Sequence, residues 1–144
     1  MRYLTQRDKF RCAAIAVINA LKWQGKRATY GDALRLSKQW GVTRQAPASD
    51  EMIQKALRQP CKILTEKQVR SVIEAGHAVV VSTLFAINGV LRGHAWFCPG
   101  FVTFGEKPVG YFGINVFEGE ARSLVSWSDM EKILKLGSVW VIKR

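Results

Sequence analysis

QRDKFRCAAIAVINAL, residues 6–21, decides how this chain folds. Phe10, Ala13, Ala14, Val17, Ile18 and Leu21 recur at helical spacing. Gly25 stands where such a helix would stop. Cys12 falls in its first turn, among backbone N–H groups that lack partners and at the positive end of the helix dipole. That placement favours the thiolate and lowers a thiol pKa from about 8.5 into roughly the 3.5–7.5 range. Gln6, just upstream, can donate to an oxyanion, and the distant Gly93-His94 pair can supply a base. The combination points to a thiol hydrolase.

Outward from this stretch, the first half of the chain reads as helices. Thr29 caps a second helix carrying Ala33, Leu34, Leu36 and Ser37 and ending at Gly41. Ser49 caps a third, with Met52, Ile53, Ala56 and Leu57 on one face and Pro60 as its stop. Thr65 with Gln68 fits a capping box ahead of Val69, Val72 and Ile73, and Gly76 fits the C-terminal cap. The second half reads as strands. Ala78 to Leu84 is a β-branched run, followed by a hairpin signal at Asn88-Gly89. Further strands are expected over His94 to Phe104, Gly110 to Phe117, Ala121 to Val125 and Ser138 to Lys143. Ser128 with Glu131 forms a second capping box, opening a helix through Leu136. Helices first, then an antiparallel sheet with one late helix, make an α+β arrangement in a single domain over residues 1–144.

Composition narrows the class. A 48% hydrophobic content with five tryptophans supports a packed core and excludes a disordered chain. No apolar run is long enough to span a bilayer, and residues 1–5 lack the apolar core of a secretory signal. Cys12, Cys61 and Cys98 cannot all pair with one another, so reduced thiols in a cytoplasmic protein are expected. The formal charge of +11 raises nucleic acid as a partner. The basic residues are scattered, however, with no block of five, and the tryptophans form no base-stacking row. There is no close-spaced cysteine pair, no paired-histidine motif and no phosphate-binding glycine loop. Neither a metal nor another cofactor is expected.

A cysteine hydrolase needs a thiol, a base, a group that orients the base, and donors for the oxyanion. Each residue also has a plain structural reading. A cysteine in an apolar helix is commonly a small buried hydrophobe, and Gln6 alone could be a surface residue. His77, after Gly76, reads as a helix-end cation, which leaves His94 as the favoured base. Asp8 reads as a charge near a helix start, Cys61 as structural, and Cys98 as core.

QRDKFRCAAIAVIN, RGHAWF, YFGINVFEG and SWSDMEKIL, taken in this order, resemble papain-like cysteine peptidases of the C39 type. The resemblance spans nearly the whole chain. It implies a helical lobe and a sheet lobe with the site between them. It also implies a triad of Cys12, His94 and Asn115, with Gln6 and the Cys12 N–H as the oxyanion donors. C39 relatives cut after paired glycines in the leader peptides of exported peptides. For this chain the resemblance implies a polypeptide substrate, with a host protein, a ubiquitin-like tail or a peptide cross-link as the alternatives. A free-standing basic version would suit a phage or bacterial protein. Two positions depart from the family, Ala13-Ala14 in place of Gly-Pro and Asn115-Val116 in place of Asp-Pro. They motivate a second expectation, a binding module that keeps the fold without catalysis.

Overall fold

The computed structural model describes residues 2–8, 10–87, 90–116 and 123–144. The turn expected at Asn88-Gly89 and the strand ends expected at Phe117 and Ala121 lie outside the described residues. Five helices and five strands follow one another: α1 (Cys12–Trp23), α2 (Tyr30–Gln39), α3 (Asp50–Leu57), α4 (Glu66–Glu74), β1 (Ala78–Ile87), β2 (Val90–Phe104), β3 (Lys107–Ile114), β4 (Leu124–Val125), α5 (Trp127–Leu134) and β5 (Gly137–Ile142). The strands form one antiparallel sheet in the order β4-β3-β2-β1-β5.

α1 is the hub of the helical lobe. It carries no charged residue before Lys22 and is buried on two sides rather than along one stripe. Ala13, Ala16, Val17 and Ala20 face the sheet at Val80, Ala95, Phe97 and Trp140. Small side chains there let the helix lie close to β2. Ala14, Ile15 and Ile18 face Ala33 of α2. Capping follows the sequence pattern: Thr29 and Thr65 each close a full capping box, and Ser49 accepts from the Met52 amide. Gly25, Gly41 and Gly76 take the positive φ that ends α1, α2 and α4.

α4 does not join that lobe. With α5 it covers the opposite face of the sheet, where Val69, Ile73, Met130 and Leu134 pack on Val79, Val81, Trp96 and Tyr111. Both faces of β1 are therefore covered, which is why Val79, Val80 and Val81 are all buried in an unbroken apolar run. The Tyr111 hydroxyl donates to the Glu66 carboxylate at 2.7 Å and ties the start of α4 to β3. Arg70 pairs with Glu66 and lies over the Trp127 ring at 4.0 Å.

Several boundaries differ from expectation. α5 starts two residues early, capped by Ser126 rather than Ser128, because Ser126 accepts from the Asp129 amide and Trp127 packs edge-on against Tyr111 and Phe101. It ends at Leu134, short of Leu136. β1 and β2 run longer than the apolar pattern alone implied, since each pairs with the other out to Ile87 and Val90. β3 begins at Lys107 and ends at Ile114. Pro99, which has no N–H to donate, sits within the first β2–β3 bulge.

Candidate active site

The approach to Cys12 is built by Asp8. Arg11 stands at the N-cap of α1 and makes no side-chain cap. Asp8 substitutes for it: Oδ1 accepts from the amides of Phe10 at 3.1 Å and Arg11 at 3.0 Å, and Oδ2 meets the Arg11 guanidinium at 2.5 Å. Partial burial raises the Asp8 pKa, but these donors outweigh it and hold the carboxyl below its ordinary range. Asp8→Ala is expected to cost about 1 kcal/mol in urea unfolding at neutral pH, as lost caps do. A depressed carboxyl stabilises the fold above its unfolded pKa and stops doing so as pH falls through the folded value. The gap between variant and parent should therefore close below about pH 4.

Cys12 is the first residue of α1, so its N–H is one of the four amides the helix cannot satisfy. Its Sγ accepts from the Ala95 N–H at 3.5 Å. Burial raises the thiol pKa, but a hydrogen bond and charge from His94, with the Ala95 and Ala13 amides, bring it below the ordinary thiol value. His94 is buried, and its Nε2 lies 2.5 Å from the Asn115 main-chain oxygen. A carbonyl only accepts, so Nε2 carries the proton. That leaves the Nδ1 lone pair for the thiol proton. Register explains the meeting. The last β2–β3 pair is Phe97 with Ile114, so His94 lies past the end of β3, where the neighbouring Ala95 amide meets Cys12 at the start of α1.

Asn115 reaches His94 through its backbone rather than its amide. The side chain turns to the N-terminal segment, where Nδ2 donates to the Leu4 oxygen and Oδ1 accepts from the Gln6 N–H, both at 3.0 Å. Gln6 is held there, and its Nε2 donates to the Asp8 oxygen at 2.6 Å. Sequence reasoning missed Asn19, which is fully buried and bonds both backbone groups of Leu4. Its signal was a lone amide inside the apolar run of α1. The Ala95 amide carried no signal, because a backbone donor becomes specific only through the fold.

The other expected bystanders lie apart from Cys12. Cys98 is fully buried in the core on the α4–α5 side, and burial pushes its thiol up to about 12. Alkylation of the native protein should therefore spare Cys98, as peptide mass mapping would check. Cys61 takes the Gln54 side-chain oxygen on its amide in the link after α3. His77 precedes β1 at the end remote from Thr83, the residue paired with His94. Among the described residues no three His, Cys, Asp or Glu side chains gather to hold a metal. No described helix is long and apolar enough to cross a membrane.

No protein-family model matches the chain, and no curated protein matches it. Among solved structures, it is similar to the peptidase domain of Streptococcus ComA, a bi-functional ABC transporter involved in a quorum-sensing pathway. The TM-score is 0.71 at 9% identity, over 98% of this chain and 97% of that one. At that identity the likeness establishes the fold: α+β and papain-like, with an N-terminal helical lobe and an antiparallel sheet, as the C39 resemblance implied.

Proposed function

We propose that this chain is a cysteine peptidase that cleaves a peptide or isopeptide bond through an acyl-enzyme on Cys12. The observation that carries the reading is the contact of a helix-opening thiol with His94, with the thiol pKa lowered despite burial. His94 Nδ1 takes the thiol proton, and the thiolate attacks the substrate carbonyl carbon. The Cys12 N–H and the Gln6 amide hold the oxyanion. Gln6 Nε2 has a second N–H besides the one given to Asp8. As the C–N bond breaks, His94 returns the proton to the leaving amine. Water, deprotonated by His94, then cleaves the C–S bond, releasing the acid and restoring the thiol. The Asn115 carbonyl keeps the imidazole in the tautomer this sequence needs.

The substrate on this reading is a polypeptide, and the C39 resemblance makes glycine at the cut the first preference to test. Incubation with a peptide library, read by mass spectrometry against a Cys12→Ala control, tests the reading. Cleavage confined to the parent protein supports it. No cleavage, with Cys12 alkylated no faster than an ordinary thiol, would sink it in favour of a binding module. Gln6→Ala separates the roles further. It should lower turnover by about 10²–10³-fold, as loss of one oxyanion donor does. Cys12 alkylation, which forms no oxyanion, should stay near the parent rate.

A further inference from the structure

We infer that Asn19 and Asn115 clamp the N-terminal segment between them, and that this clamp, through the Asn115 main-chain carbonyl, orients His94. The functional consequence rests on the peptidase reading; the geometry does not.

Asn19 is fully buried within the apolar surroundings of α1. It commits its amide to one residue: Oδ1 accepts from the Leu4 N–H at 2.7 Å, and Nδ2 donates to the Leu4 oxygen at 3.1 Å. From the other side, Asn115 Nδ2 donates to the same Leu4 oxygen at 3.0 Å, while its Oδ1 takes the Gln6 N–H. A carbonyl has two lone pairs, so Leu4 can accept from both amides at once. The segment is thus stapled to α1 by one asparagine and to the end of β3 by the other.

The Asn115 backbone has φ +60°, a left-handed turn that asparagine tolerates better than most side chains. This turn brings its carbonyl to 2.5 Å from His94 Nε2. The two amide bonds to Leu4 and Gln6 hold the turn in place. They require a side chain with both a donor and an acceptor. Aspartate has no donor and would set a charged oxygen against the Leu4 carbonyl. The amide at this position is therefore demanded by the chain's own N-terminal segment. Restoring the acid common in C39-type peptidases should harm this protein rather than improve it. Asn19 acts as a positioning residue through Leu4 and Asn115.

The test is ¹⁵N NMR of the His94 ring, with the pH profile of Cys12 alkylation, in the parent, Asn115→Asp and Asn19→Ala. The parent should show the Nε2–H tautomer. Asn115→Asp should lose that preference and alkylate about tenfold more slowly at pH 7, the direction seen when a catalytic histidine loses its tautomer. Asn19→Ala should shift both readouts the same way. The inference is overturned if Asn115→Asp reacts as fast as the parent or faster. It is also overturned if folded Asn19→Ala leaves ring spectrum and profile unchanged. Should Asn19→Ala not fold, Asn115→Asp, altered at a half-buried bend, still decides. Slow alkylation in the parent would remove the peptidase reading, while the ring spectra would still judge the clamp.

Discussion

Alanine at His94 is expected to cut peptide hydrolysis by about 10⁴–10⁶-fold, the range seen when a triad member is removed. The same substitution should move Cys12 alkylation to higher pH, and the sign follows from the forces on the thiol. Burial pushes its pKa up, and His94 provides the leading opposing contributions, by hydrogen bond and by charge. Without His94 the burial penalty stays, and only the Ala95 and Ala13 amides oppose it. The alkylation midpoint should then rise to or above the ordinary value of about 8.5. In the parent, labelling should climb at lower pH, as the thiolate forms through its depressed pKa. Stopped-flow alkylation across a pH series measures both midpoints. Equal midpoints would mean that His94 does not act on Cys12. His77→Ala serves as the control, since His77 lies at the far end of β1 and should leave both readouts unchanged.

Trp96→Ala is expected to cost about 3–5 kcal/mol in urea unfolding, the range for emptying a large aromatic site. Against a total of about 5–15 kcal/mol for a domain, that approaches loss of the fold. Trp96 is among the largest fully buried side chains. Its ring lies over Gly113, where an added Cβ would fall 2.9 Å from Trp96 and 2.2 Å from Val116. Gly113 is two residues before Asn115, so the ring also supports the approach to the turn that meets His94. Any Trp96→Ala protein that folds should therefore alkylate Cys12 more slowly. Trp96→Phe should cost less than Trp96→Ala, because it leaves a smaller cavity. It keeps much of the aromatic packing and removes an indole N–H that has no hydrogen-bond partner among the described residues. Equal losses for alanine and phenylalanine would show that the N–H, not the packing, matters there.

Local order was legible where one residue type has one local use. Thr29, Ser49 and Thr65 cap the helices they are expected to open, accepting from the amides of Asp32, Met52 and Gln68. The cap of α5 is expected at Ser128, which has Glu131 three residues on, but Ser126 takes the Asp129 amide instead. Packing of Trp127 on Tyr111 and Phe101 favours the earlier one. The length of β1 and β2 was underread for a related reason: a strand continues while its partner does, and pairing is invisible in either strand alone. The place of α4 was also hidden. Its apolar stripe reads the same whichever face of the sheet it covers.

Cys12, His94 and Gln6 could be singled out from the chain because their residue types and order carry chemistry, whereas Asn115 entered only through the C39 resemblance. The sequence by itself determined the element types, the apolar faces and the helix start that exposes Cys12 to unpaired amides. Those depend on neighbours within a few positions. Only the tertiary structure decided that His94 lies past the end of β3 against Cys12. The same holds for the donor at Ala95 and for Asn115 serving His94 with its main-chain oxygen while its amide holds Leu4 and Gln6. These contacts join residues from opposite parts of the chain through backbone atoms. Every residue carries such atoms, so no residue type can announce them.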